Sequence, residues 1–252
     1  MPPRLAARCL STSVLSVAAL AGCSGPGRAS FADATPAQLA RAYTAATGLD
    51  LMSTLIMGLG FAEQGARTGC PSLASSGGAI TVTGGCTAGD GTRFDGSIAI
   101  RGLHPPDPEE EEPGPISVEL ELQIAPPRRP RIALDGRVEL DLASGAPRIA
   151  GDLIIDDEGI ESTSRLTLAC NADHACTASP DSEIAISSLG GASVEGTWSL
   201  GEPPSGRVTV RGDDALVLDM ARLSLQCAPY EVGGKSGTVC PSRLVGALLS
   251  GG

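Results

Sequence analysis

Cys70 and Cys86, Cys170 and Cys176, and Cys227 and Cys240 fall along this chain as three close pairs. Two chemistries use thiols spaced in this way: disulfide formation, and zinc binding with help from histidine or carboxylate. The stretch CNADHAC places Asp173 and His174 between Cys170 and Cys176, so zinc would be sought there first. No C-x-x-C occurs, however, and a short loop between strand-like segments is where a disulfide clamps a hairpin. Near neighbours in sequence also meet most readily. The expected pairs are therefore 70 with 86, 170 with 176 and 227 with 240, and no metal site is expected.

Other candidate chemistry is sparse. His104 and His174 are the two histidines, and both fall in loop-like sequence. There is no G-x-S-x-G to suggest a serine hydrolase. GGKSG, 233–237, resembles the close of a phosphate-binding loop, but Pro229 stands where the first glycine is needed, so it reads as a glycine-rich turn. Glu109 to Glu112, inside HPPDPEEEEPGP, could attract Ca²⁺. Four consecutive carboxylates cannot all turn inward, though, and a solvated loop fits better. Asp90 and Asp95 in DGTRFDG likewise lack the alternate carboxylates of a calcium loop. APPRRP, 125–130, sets Arg128 and Arg129 at the far end of the strand that follows the acidic run. No catalytic residue and no cofactor is expected, and the chain does not read as an enzyme.

The remaining cysteine of interest is near the N-terminus. Arg4 and Arg8 precede an apolar run from Leu10 to Leu20 that is too short to cross a bilayer and reads as a signal peptide. It ends in Leu20, Ala21, Gly22 and Cys23, which resembles the lipobox of bacterial lipoproteins. That resemblance implies cleavage after Gly22 and lipidation of Cys23, with residues 1–22 removed. Acyl chains at ~0.8 kcal/mol per buried CH₂ would then hold the protein on a membrane. Ser24 follows instead of aspartate, which by the same resemblance favours the outer membrane. An exported chain also suits disulfides.

Charge and composition exclude several partners. The formal net charge is −11, and losing Arg4 and Arg8 with the leader deepens it to −13. Repulsion therefore acts against nucleic acid and anionic lipid head groups. Phe31, Phe61, Phe94, Tyr43, Tyr230 and Trp198 are the whole aromatic complement, too few for the stacking platforms of a sugar-binding module or the girdles of a membrane barrel.

The elements that must carry these residues change character at Cys70. Residues 23–34, rich in Gly, Ser and Ala, read as a flexible tether. Thr35 caps a helix with Pro36 at its first position, and Leu39, Ala42, Tyr43 and Ala46 recur at helical spacing until Gly48. A second helix runs from about Leu49 to Ala66, with Leu51, Met52, Leu55, Ile56 and Leu59 expected on its buried side. Beyond it the period becomes two. ISVELELQI alternates Ile116, Val118, Leu120, Leu122 and Ile124 with polar residues, and RIALDGRVELDL turns Ile132, Leu134, Val138, Leu140 and Leu142 inward, with Gly136 marking a bulge. Eight more segments, near 78–83, 93–102, 148–155, 160–170, 183–189, 193–200, 206–211 and 215–227, bring the total to about ten strands. Short turns at Asp90-Gly91, Asp157-Glu158-Gly159, Gly190-Gly191 and Asp213-Asp214 make sequential strands antiparallel neighbours.

The expected fold is α+β and mainly β. Two N-terminal helices, 35–66, pack on an up-and-down meander, 70–245, curled into a barrel or half-barrel, all within one unit over 35–252. The expected role is that of an envelope lipoprotein acting without chemistry as a binding or structural module. Its partners would be the membrane, through Cys23, and another envelope protein. A carrier of lipid or another apolar ligand is the alternative. It resembles, in architecture only, the lipoprotein-carrier half-barrels of the bacterial periplasm, and it requires a cavity between helix and sheet.

Overall fold

The computed structural model describes residues 27–102, 114–128, 131–142, 146–157, 159–171, 175–199, 203–224 and 226–242. The expectations for Leu20, Ala21, Gly22 and Cys23 lie outside these residues, as do those for Glu109 to Glu112, His104, His174, Asp173 and Arg129.

Helix α1 spans Pro36–Ala46 and starts from a capping box, in which the Gln38 amide donates to Thr35 Oγ1 and the Thr35 amide to Gln38 Oε1. Leu39, Ala42, Tyr43 and Ala46 are all buried, as their spacing requires. Gly48, at a φ of +76°, breaks the chain into helix α2, Leu49–Thr68, and the two helices meet at 76°. Among the described residues no single helix is long and apolar enough to cross a membrane.

A sheet of 15 antiparallel strands follows. The first eight are β1 (Ser72–Ser76), β2 (Ala79–Thr83), β3 (Cys86–Thr87), β4 (Arg93–Arg101), β5 (Ile116–Ala125), β6 (Ile132–Asp141), β7 (Arg148–Asp157) and β8 (Ile160–Cys170). The rest are β9 (Ala175–Ala178), β10 (Glu183–Ile186), β11 (Gly190–Ser199), β12 (Ser205–Arg211), β13 (Ala215–Asp219), β14 (Ala228–Val232) and β15 (Lys235–Val239). Neighbours in sequence are neighbours in space, with two exceptions. β2 and β3 both pair with β4, and β9 and β10 both lie between β8 and β11, so each couple is one strand interrupted by a short break. Those breaks explain part of the excess over ten strands. β1 and β15 supply more of it, because SLASS and KSGTV carry too little apolar residue to register as strands.

The sheet curls around both helices. α2 covers β1, β2, β5, β6 and β7, whereas α1 touches β8, β10, β12 and β15, so the second half wraps α1 from several sides. Edge strands β1 and β15 do not pair with each other, which makes the fold a half-barrel. Curvature comes from glycines within the ladders. Gly136, at φ +141°, stays in continuous register with β5 and β7, so it is a kink and not a bulge. A Cβ there would lie 2.0 Å from the Asp152 carbonyl oxygen. Gly96 on β4 repeats the device.

Four further expectations need correction. Gly27–Ala34 is no tether: Ala29 and Phe31 are buried, Arg28 bridges to Gly191 beside β11, and the amides of Phe31 and Ala32 donate to the Asp214 carboxylate at 2.7 and 2.8 Å. The turn expected at Gly190-Gly191 falls at Ser187–Leu189, because Ile186 pairs with Gly190, and the strap packs so closely that a Cβ on Gly190 would lie 2.1 Å from the Gly27 carbonyl oxygen. The segment 215–227 ends as a strand at Asp219, whose side chain caps a 3-10 turn at Met220–Arg222. Leu142 lies beyond β6 and is exposed.

Leu51 and Leu55 are buried as expected, but Met52, Ile56 and Leu59 are turned outward. We therefore expect Leu55→Ala to cost about 2–5 kcal/mol through cavity formation. Ile56→Ala should stay within about 0.5 kcal/mol. Urea unfolding of the mature chain measures both.

Candidate functional site

The break between α1 and α2 brings Arg41 of the first helix against Asp50, in the first turn of the second. Arg41 Nη1 and Nη2 donate to Asp50 Oδ1 and Oδ2 at 3.2 and 2.9 Å, a two-pronged pair whose members are 2% and 1% exposed. The guanidinium also donates to Ser162 Oγ on β8 and, at 3.1 Å, to Ser242 Oγ beyond β15. The Ser242 amide in turn donates to Thr44 Oγ1 on α1. Three separate parts of the chain thus converge on one guanidinium of α1. Arg41 Nε has no hydrogen-bond partner among the described residues, nor do the hydroxyls of Ser53 and Thr54 on α2.

Burial pushes the Asp50 carboxyl above the usual aspartate range, and Asp157 pushes the same way, against the pull of Arg41. A carboxylate at a helix N-terminus is favourably placed against the helix dipole. The arrangement is a clamp. The hydroxyls of Ser162 and Ser242 each accept a hydrogen bond from the guanidinium.

The clamp sets the rotation of α2. With Asp50 held inward, Thr54, Gly58, Ala62 and Gly65 follow it onto the face that meets the sheet. A Cβ on Gly58 would already touch Val118 at 3.4 Å, and one on Gly65 would lie 2.6 Å from the Pro71 carbonyl oxygen. The helix lies so close that small residues must face the strands. Met52, Ile56 and Leu59 are consequently left 38%, 49% and 49% exposed, at the i, i+4, i+7 spacing of one helical stripe. Of the large apolar residues, Leu51 and Leu55 marked the buried side correctly and Met52, Ile56 and Leu59 did not, whereas the run of small residues at 54, 58, 62 and 65 was the sequence signal for the face closest to the strands.

All three cysteine pairs are disulfides: Cys70–Cys86, Cys170–Cys176 and Cys227–Cys240. The first ties the exit of α2 to β3. The second joins directly paired residues of β8 and β9. The third closes the base of β14 and β15, two residues before Ser242 reaches Arg41. No group of three or more His, Cys, Asp or Glu side chains that could hold a metal occurs among the described residues. GGKSG resolves into a turn at Gly233-Gly234 and the start of β15, where Lys235 Nζ donates to the Ala32 carbonyl at 2.6 Å. Beside the strap, a surface hollow of about 550 Å³ is lined by Arg28, Asp152, Arg165, Glu183 and Arg211 among others. Its Arg165 is already paired with Asp152 and Glu183, and its Arg211 with Glu195. Neither cation is available to a ligand without first breaking a pair.

No protein-family model, curated protein or solved structure matches the chain.

Removing one member of a buried ion pair strands the other, so Arg41→Met should destabilise by about 3–5 kcal/mol, and Arg41→Met with Asp50→Leu should recover most of that loss. The folded state holds the Asp50 proton more tightly than the unfolded chain does. The contribution of Asp50 is therefore most favourable below the ordinary aspartate range and declines as pH rises through its elevated folded-state value. Asp50→Asn should remove that decline, as read by urea unfolding across a pH series. Non-reducing peptide mapping should return the three local disulfides and no free thiol among their cysteines.

Proposed function

We propose that this protein is a bacterial envelope lipoprotein, held to the membrane by acylated Cys23, that acts without chemistry as a binding module for another envelope protein. The observation that carries the binding role is the exposed apolar stripe of α2. Asp50, Ser53 and Thr54 are buried while Met52, Ile56 and Leu59 face solvent, an arrangement that costs desolvation inside and leaves apolar area outside. Local rules broken in this way concentrate at functional surfaces. The anchor rests on the LAGC sequence at 20–23.

The close packing of the concave face speaks for a binding module over a carrier. A Cβ on Gly151 would lie 2.6 Å from Leu51 Cδ2, and one on Gly48 would lie 2.5 Å from Leu168 Cδ1. Methyl groups already occupy the space between helix and sheet where an apolar ligand would sit.

Two experiments test the parts separately. Cys23→Ser should release the protein from membrane fractions and abolish the acyl mass on the mature N-terminus. Wild-type protein without that mass would refute the anchor. A photo-crosslinking residue at Ile56, in intact cells, should capture a discrete envelope protein. Capture of phospholipid alone, or a stoichiometric lipid extracted from the purified protein, would refute the binding role.

A further inference from the structure

The strap places the exit of the chain at one end of the half-barrel. Ladder register defines that end: Ile124 pairs with Ile132, Ile132 with Asp157, Asp157 with Ile160, and Ile186 with Gly190, next to the bridge between Arg28 and Gly191. Residues 126–128, 131, 187–189 and 212–214 therefore share one rim with Gly27. The stems of the acidic loop, Arg101 and Ser117, pair at the opposite rim. β5 runs between the two, and its ten residues span about 30 Å.

Only Ser24, Gly25 and Pro26 separate Cys23 from Gly27. Four Cα steps reach at most about 14 Å, roughly half the height of the sheet. Resting on the proposed acylation of Cys23, we infer that the strap rim is the face apposed to the bilayer, and that the rim where Arg101 pairs with Ser117 faces away from the membrane. The short leash decides the orientation. Charge does not decide it: Arg28, Arg128, Arg131 and Lys235 are exposed on the strap rim, with Arg131 also donating to Gln123 at 3.1 Å, but Asp33, Asp90, Glu161 and Asp213 are exposed on the same rim. Asp214, also there, is engaged by the strap amides.

The test uses vesicles of phosphatidylethanolamine and phosphatidylglycerol containing a nitroxide-headgroup lipid. A fluorescent amino acid is placed at Asp213, on the strap rim, or at Pro203, on the opposite rim, both exposed. The acylated protein should show several-fold stronger quenching at 213 than at 203, and equal or reversed quenching overturns the inference. A second form, with a histidine tag replacing residues 1–23 on vesicles containing a nickel-chelating lipid, keeps the leash without acylation. The same preference is expected there. A wild-type protein lacking acyl mass would sink the lipoprotein reading, and loss of the preference in the tagged form would sink the orientation by itself.

Discussion

Arg41 and Asp50 hold each other at the bend between the two helices, and most of what distinguishes this half-barrel follows from that contact. Taking an ionised pair out of water costs several kcal/mol unless surrounding hydrogen bonds offset the lost hydration. Asp50, Ser162 and Ser242 supply the partners from α2, β8 and the chain beyond β15. The pair thereby ties both helices to the middle of the sheet and to the chain beyond its last strand. It specifies the assembled arrangement more than it stabilises any one element.

Once Asp50 is committed inward, the phase of α2 is no longer free. A helix that must present residue 50 to the interior also presents 54, 58, 62 and 65, and close approach to the strands is possible because those positions carry Thr, Gly, Ala and Gly. The same closeness forces the large residues at 52, 56 and 59 outward. Curvature of the sheet has a related origin. Gly96 and Gly136 let adjacent strands bend without loss of register, since a Cβ at either site would overlap the neighbouring backbone. Bent strands then wrap α1, and the disulfides at Cys70–Cys86 and Cys227–Cys240 pin the two segments nearest the open edges.

The strap connects this architecture to the proposed function. A residue anchored in lipid through a long loose linker could sample any orientation, but the chain between Cys23 and the docked Gly27 is short. Asp214 makes the docking specific by accepting from two consecutive strap amides, and Phe31 buries its ring in the same segment. With Cys23 acylated as proposed, the body and its anchor would be coupled, and the surface of α2 would be presented from a fixed platform.

Much of the fold was legible in the residues themselves. Thr35 and Pro36 announce α1, Gly48 divides the helices, ISVELELQI and RIALDGRVELDL alternate as half-buried strands must, and the spacing of the six cysteines selects their pairing. These signals are local, because capping, period-two alternation and short-loop closure need only a few neighbouring residues. Tertiary structure decided the rest. Whether Met52 or Thr54 faces inward depends on the pairing of Asp50 with Arg41 of the other helix and on a serine at 242. Whether Gly136 is a bulge or a kink depends on the register of both neighbouring strands. Whether residues 27–34 hang free or dock depends on Asp214, far along the chain. In each case the deciding partner is distant in sequence, and a buried charge or a crowded backbone outweighs the local preference for placing large apolar side chains inside.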